Sequence, residues 1–323
     1  MTTRDELLIH LEENAGNRVS CESLCDKLGV SRSTVLRHIS RLKDDGYAIE
    51  FVPHKGYALR ETSDLLVPRR IREGLTTKAF GKKDIIYCTE IDSTNLMAKG
   101  LAASGAPEGT IVISEKQTKG RGRKTRGWFS PPRDGIYLSL ILRPSIAPRL
   151  APSMTLLTAV AIAETLLSVP GLEIAIKWPN DILARGKKLA GILTEMSTTG
   201  ERIDYAVVGL GLNVNTSRFP DEIEDRATSI LIETGQRVRR LTLAKKYLEW
   251  HEEYYGVFQR IGFEPIRKRW KELTNIMGQQ VTVETIDREY SGEVQDIDDG
   301  GALILRDEIG GYHKVIFGDV TLR

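Results

Sequence analysis

The chain is poor in the residues that build staples and metal clusters. Its 323 residues include three cysteines, Cys21, Cys25 and Cys88, and five histidines. An odd, small number of cysteines without framework spacing excludes a disulfide scaffold and predicts a reducing compartment, the cytoplasm. Cys21 and Cys25 stand one helical turn apart, but no histidine lies at ligand spacing. They read as small core residues rather than part of a zinc site. No apolar run reaches the ~20 residues that span a bilayer. The most apolar stretch, Met154–Val169, carries Glu164 and reads as a buried core helix, so no membrane partner is expected. The first residues, MTTRDELLIHLEENAG, lack the apolar run of a signal peptide. Charge of one sign is also missing. A net charge of +2 does not imply a nucleic-acid partner by itself, so the local distribution must decide.

Several familiar site signatures are absent too. No G-x-x-x-x-G-K-[ST] occurs, so a phosphate-loop nucleotidase is unsupported. G-x-G-x-x-G fails at Gly120–Thr125 and again at Gly209–Val214, which removes the dinucleotide-binding reading. Neither G-x-S-x-G nor H-E-x-x-H is present.

What is there falls into three segments. Residues 1–62 give a helix stripe from Leu7, Leu8, Leu11 and Ala15, then a second helix capped by Ser20 and ended by Gly29. Ser31 caps a third helix, whose Val35, Ile39 and Leu42 share one face. The strand AIEFV, the turn PHKG and the strand YALR follow as a hairpin. Helix, short turn, helix and wing is a DNA-reading arrangement. Its charge is polarised, with net −3 over residues 1–30 and +3 over residues 31–60. Phosphates need such a local positive field, so Ser31, Arg32, Ser33, Thr34, Arg37, Arg41 and Lys55 are the candidate DNA contacts. Residues 63–272 alternate strand-like and helix-like runs. The short turn within ILARGKKLAGIL demands antiparallel pairing, so the expected sheet is mixed rather than doubly wound. Residues 273–323 carry short alternating strands split by Gly and Asp turns. They read as a small β-barrel, too small to stand alone and expected to dock on its neighbour.

The stretch GRGRKTRGW, Gly120 to Trp128, poses the functional question. Alternating glycines let backbone amides approach a ligand. Arg121, Arg123 and Arg126 offer planar donors for phosphate or carboxylate, and Trp128 offers a flat face for a heterocycle. An exposed basic loop is the plainer alternative. The surroundings decide between them. EIDSTN lies upstream (Glu90–Asn95), KWPND downstream (Lys177–Asp181), then GKKLAGIL (Gly186–Leu193) and VGLGLNVN (Val208–Asn215).

In this order and spacing, the set closely resembles biotin–protein ligases. With the N-terminal module it resembles the bifunctional kind, biotin ligase and biotin operon repressor in one chain. The resemblance covers essentially the whole chain. It implies an α+β multidomain fold with three parts. These are a winged helix-turn-helix (1–62), a mixed α/β catalytic domain related to class II aminoacyl-tRNA synthetase and lipoate ligase cores (63–272), and an SH3-like barrel (273–323). It implies that biotin and ATP, with Mg²⁺, give biotinyl-5′-AMP, and that a lysine of a biotin carboxyl carrier domain then takes the biotin. Ser93, Thr94, Asn95, Gln117, Arg121, Gly122, Arg123, Lys188, Gly191 and Gly209 are implied at the biotin. Gly211 joins Gly191 and Gly209 in keeping the pocket floor free of side chains. Arg121, Arg123, Arg126, Trp128, Lys177 and Asn213 are implied at the nucleotide. Arg123, Lys188 and Asp181 are the implied catalytic set, with Asp181 also organising Mg²⁺. The distance to Leu189–Gly191 favours Lys188 over Lys187. Operator DNA, the adenylate as corepressor, and a homodimer strengthened by it complete the implied regulation. The competing reading is a ligase whose N-terminal module does not bind DNA.

Overall fold

A computed structural model describes residues 3–14, 17–44, 47–53, 55–59, 64–285 and 287–322. The chain divides into two compact units, residues 1–64 and 65–323.

The first unit holds α1 (Thr3–Glu13), α2 (Cys21–Leu28), α3 (Arg32–Asp44), β1 (Ile49–Val52) and β2 (Gly56–Leu59). Local chemistry sets the helix ends. The Ser20 hydroxyl accepts the Ser23 amide at 3.1 Å. Gly29, at φ 63°, turns the chain out of α2 while its amide donates to Cys25 O. A glycine enters that left-handed region without a Cβ penalty. Ser31 accepts the Thr34 amide at 3.3 Å and so starts α3. Leu7, Leu11, Leu24, Val35, Ile39 and Leu42 are buried together. β1 and β2 pair antiparallel from Ile49↔Leu59 to Val52↔Gly56. The expected helix-turn-helix and hairpin are present. Ala15, His54 and Arg60, parts of the predicted stripe, turn and second strand, lie outside the described residues.

The second unit begins with α4 (Pro68–Arg72) and is built on a seven-stranded sheet. Its strands are β3 (Ile85–Cys88), β4 (Ile111–Ser114), β5 (Gly135–Leu142), β6 (Ile174–Lys177), β7 (Asp181–Ala184), β8 (Lys187–Thr199) and β9 (Arg202–Asn213). They lie in the order β3-β4-β5-β9-β8-β7-β6. Only β3 and β4 pair in parallel, joined by the crossover helix α5 (Thr94–Ala103). The other pairs are antiparallel, so the sheet is mixed, as the short turns require.

Side chains alternate across this sheet. Val112, Ile141 and Val207 pack with Ala98 and Ala102 of α5. Ile111, Ile113, Leu140 and Val208 join the larger core with α6 (Ala151–Leu167), α7 (Ile230–Thr234), α8 (Arg240–Ile261) and α9 (Glu264–Leu273). By length and composition Pro148–Leu167 is long enough to cross a membrane, yet 72% of its apolar window is buried inside the protein. It is the core helix the sequence predicts.

The last five strands are β10 (Gln280–Glu284), β11 (Glu289–Ile297), β12 (Leu303–Arg306), β13 (Tyr312–Val315) and β14 (Asp319–Leu322). They form an antiparallel sheet in the order β13-β12-β11-β10-β14. Val281, Val283, Val294, Leu303 and Leu305 belong to the same core as α6 and the large sheet. This small sheet therefore does not have to stabilise itself, as its size led us to expect. The start of β14 meets the loop that follows β4 through the ion pairs of Asp319.

Candidate active site

A cavity of about 740 Å³ opens on the large sheet between α5, β8, β9, the loop 117–129 and the segment 219–227. That volume lies in the range of small-molecule and cofactor pockets, roughly 300–1,000 Å³. All of the candidate residues between Ser93 and Asn213 line it. The seven candidate DNA contacts belong to the first unit.

One end of the cavity is a closed polar network. Ser93 has the extended backbone of an N-cap, but its hydroxyl makes no capping bond. Gln117 does that work instead. Its Oε1 accepts the Thr94 amide at 2.9 Å and the Thr94 hydroxyl at 3.1 Å, while its Nε2 donates to Ser130 Oγ at 3.0 Å. The N-terminus of α5 is thus satisfied from another loop, and the buried Ser93 hydroxyl is released from capping. Asn95 Nδ2 donates to Leu193 O at 3.2 Å and to Glu195 Oε2 at 3.1 Å. Its Oδ1 accepts from the buried Ser139 hydroxyl at 2.6 Å. Lys99 pairs with Glu195 at 2.7 Å. Burial would push the Glu195 carboxyl up, but the hydrogen bonds from Lys99 and Asn95 outweigh it and hold the group low.

Ser139, Glu195 and Lys99 were not singled out from the sequence. Ser139 did leave a signal, as a small hydroxyl among the aliphatic residues of the buried strand GIYLSLIL. A buried hydroxyl needs a partner, and here the partners are Thr94 and Asn95.

The glycines clear space in a specific way. A Cβ on Gly209 would meet Asn95 Oδ1 at 2.0 Å, and one on Gly211 would meet the Trp128 indole at 2.4 Å. A Cβ on Gly191 would meet both Trp128 and Lys188 at 3.0 Å. Gly191 and Gly211 face each other across β8 and β9. The sequence reading left this floor open; in the structure it is covered by the protein's own Asn95, Trp128 and Lys188 side chains.

GRGRKTRGW is a hydrogen-bonded turn. Trp128 N donates to Gly120 O at 2.9 Å, and Gly122 N donates to Arg126 O at 2.7 Å. Lys124 sits at φ 52°, inside a single 3-10 turn over Arg123–Thr125. Arg123 Nη1 donates to Asn180 Oδ1 at 2.9 Å and to Gly318 O at 3.2 Å. Asp319, at the start of β14, meets three cations of the loop. Arg126 is at 2.9 Å, Lys124 at 3.2 Å and Arg123 at 3.6 Å. Burial alone would raise the Asp319 carboxyl, but Lys124, Arg126 and Arg123 hold it below the usual range. Its clasp is therefore present above the ordinary carboxylate range and is lost as pH falls through the depressed value. Asp319 was missed by sequence reasoning, because nothing in FGDVTL marks a carboxylate some 195 residues from its partners.

The remaining polar groups face each other across the cavity. Lys188 Nζ pairs with Asp181 at 2.7 Å and lies 5.4 Å from the Trp128 ring centroid, a cation–π distance. Lys187 points elsewhere, donating to Glu224 O at 3.3 Å. Lys177 pairs in register with Asp181 across β6 and β7 and lines the cavity. Asn213 Nδ2 donates to Thr228 O at 3.0 Å, while its buried Oδ1 has no partner. The Trp128 Nε1 is also buried without a partner. The cavity therefore offers a polar pocket at one end, a cluster of cations in the middle and an unused acceptor at the other. That order suits a ligand with an acyl head, an anionic link and a base.

The second unit also holds a buried ion pair. Arg240 Nη1 donates to Glu115 Oε2 at 2.8 Å and to Gly135 O at 3.0 Å, and Glu115 Oε1 accepts the Leu66 amide at 2.9 Å. The two side chains are 2% and 3% exposed.

Residues 86–213 match the family model described as the biotin/lipoate A/B protein ligase family. Residues 3–58 match an HTH domain, and 276–323 match the biotin protein ligase C-terminal domain. The bifunctional ligase/repressor of Bacillus spizizenii is 39% identical over 98% of this chain and 97% of its own length. The bifunctional ligase/repressor of Escherichia coli is 33% identical over 94% of this chain and 92% of its own. A biotin protein ligase from Aquifex aeolicus, solved in complex with biotin and ATP, superposes with a TM-score of 0.65 at 28% identity. It covers 75% of this chain and 99% of its own. On the identity and coverage of these relatives, the chain belongs to the bifunctional ligase/repressor family of biotin protein ligases.

Proposed function

We propose that this cavity makes biotinyl-5′-AMP from biotin and ATP, and that the chain then passes biotin to a lysine of a biotin carboxyl carrier domain. The carrying observation is the union, in one cavity, of the Gln117–Thr94–Asn95 network with Arg123, Lys188 and the unused Asn213 acceptor. In the first step a biotin carboxylate oxygen attacks the α-phosphorus and pyrophosphate leaves. In the second, a carrier lysine attacks the acyl carbon and AMP leaves. Charge that builds on the α-phosphate must meet preorganised cations, and holding both reactants in line supplies the rest.

The Ser93 hydroxyl, Thr94, Asn95 and Gln117 face the ureido ring, with backbone at Arg121 and Gly122 alongside. Arg123 and Lys188 meet the carboxylate and α-phosphate. Asn213 Oδ1 accepts from the adenine amino group, and Trp128, Arg126 and Lys177 serve the nucleotide. Asp181 is the carboxylate that fits a Mg²⁺ arriving with ATP. It already pairs with Lys188, and among the described residues no group of three or more metal-ligating side chains surrounds it. Mg²⁺ takes most of its ligands from phosphates and water, so one carboxylate suffices. The ion supplies charge neutralisation on the triphosphate; the chain's own cations supply the rest.

Asp319 adds a prediction. Asp319→Ala removes the carboxylate shared by Lys124, Arg126 and Arg123, while the Arg123 bonds to Asn180 and Gly318 remain. The KM for ATP should rise about tenfold, while stability changes by less than about 1 kcal/mol, since the ion pairs are partly exposed. Initial-rate kinetics with ATP varied check it; an unchanged KM removes Asp319 from nucleotide binding.

The same proposal covers regulation. The first unit binds operator DNA through α3 and the hairpin, biotinyl-5′-AMP acts as corepressor, and a homodimer presents two such units. The terminal sheet is an SH3-like barrel, the catalytic core is related to class II synthetases, and the compartment is the cytoplasm. Titration onto a duplex pool at fixed salt, with and without biotin and ATP–Mg²⁺, tests it. Sequence-specific retention that rises with ligand supports the repressor. Weak binding indifferent to ligand leaves a ligase alone.

A further inference from the structure

The outward face of α3 carries one side chain unlike its neighbours. Arg32, Ser33, Arg37, Ser40 and Arg41 are exposed and polar. Leu36 lies among them, one turn from Arg32 and from Ser40, and is 40% exposed. The inward residues Val35, Ile39 and Leu42 already fill the core side of the helix. The hydroxyls at the helix start are committed to one another. Ser31 Oγ meets Ser33 Oγ at 2.9 Å and Thr34 Oγ1 at 3.0 Å. The side chains left to face a partner are therefore arginines, Lys43, one serine and Leu36. Arg32, Arg37 and Arg41 form no ion pair among the described residues, so they are available to an anion. Burial, then Arg37, Arg41 and Arg4, hold the His38 imidazole below its ordinary range, a sign of the positive field along this helix.

We infer that Leu36 contacts the C5-methyl group of thymine in the major groove and is a specificity-determining residue of the operator contact. The inference rests on the reading that the first unit binds operator DNA. A duplex is the occupant this surface fits, because cations flank the apolar side chain on both sides. The major groove presents hydrogen-bonding edges at every pair, and the thymine methyl is its apolar feature. Arginines suit phosphates and guanine edges. A leucine suits neither, and it discriminates against cytosine, which lacks the methyl.

The test removes the methyl from the DNA rather than from the protein. The full chain, with biotin and ATP–Mg²⁺, selects its tightest duplex from a random-sequence pool. That duplex is remade with deoxyuridine for thymidine, at all positions and then singly. Uracil pairs as thymine does without the methyl. The wild-type chain should lose about fourfold in affinity for each contacted methyl, at one or two positions. Leu36→Ala should bind the thymine duplex more weakly and show no difference between the two duplexes, while Leu36→Met, still apolar at its tip, should keep the preference. Retained binding of the thymine duplex by both variants shows that the first unit, which carries Leu36, still folds. Equal wild-type affinity for both duplexes, or a full methyl preference in Leu36→Ala, overturns the inference and leaves operator binding intact. If the wild-type chain selects no sequence at all, the operator reading falls and takes the inference with it.

Discussion

Lys188→Gln is expected to slow biotinyl-adenylate formation by about 100- to 1,000-fold, the usual loss when one preorganised donor to a developing anion is removed. Glutamine keeps a polar side chain, one atom shorter, but loses the charge and with it the cation–π contact to Trp128. Two consequences of the change must be separated. The cation proposed to meet the α-phosphate is lost, and Asp181 loses the partner that stands 2.7 Å away. An unpaired carboxylate then faces an arriving triphosphate. The double variant Lys188→Gln/Asp181→Asn distinguishes them, because it removes the repulsion without restoring the cation. If Lys188 acts on the reacting phosphate, the double variant stays slow. If it only neutralises Asp181, the double variant recovers most of the rate. Pyrophosphate release in a single turnover at saturating ATP reads the step directly. A Lys188→Gln rate within threefold of wild type would remove Lys188 from the chemistry.

This pair also shows how far the sequence could be read. Lys188 and Asp181 were each legible from a local pattern, LAG after the one and KWPND around the other. That they meet was not, because the contact depends on the register of β7 against β8, which carries an irregularity between Ile182 and Leu183. The same division runs through the fold. Helix ends at Ser20, Gly29 and Ser31 follow from side-chain chemistry within a few residues, and the structure has them there. The mixed sheet follows from turns too short to cross over. Gln117, by contrast, was legible only as a candidate ligand contact and not as the group that caps α5 from 23 residues away. Asp319, Ser139 and Glu195 act on residues brought close only by the folded sheet. Short-range chemistry is written in the sequence; which distant side chain completes it is written in the packing.

Arg240→Met is expected to destabilise the second unit by about 3–5 kcal/mol, the cost of leaving a buried charge without its partner. The Glu115 carboxylate is reached by little water, being 3% exposed. Among the described residues, losing Arg240 leaves that carboxylate only the Leu66 amide, and it leaves Gly135 O without the guanidinium. The remedy defines the test. Arg240→Met/Glu115→Gln removes both charges and keeps both volumes, and replacing a buried pair by neutral groups is often close to neutral. The double variant should therefore recover most of the lost stability, whereas independent residues would give the sum of two losses. Chemical denaturation followed by the fluorescence of Trp178 and Trp270, both buried in this unit, reports the midpoint. A single-variant loss below about 1 kcal/mol would show that the pair contributes no more than a surface one. Function should move with stability, because Gln117 stands two residues beyond Glu115 and the Arg133 amide donates to Glu115 O at 2.9 Å. A chain released at Glu115 shifts the cap of α5, so the KM for biotin should rise in Arg240→Met and return in the double variant.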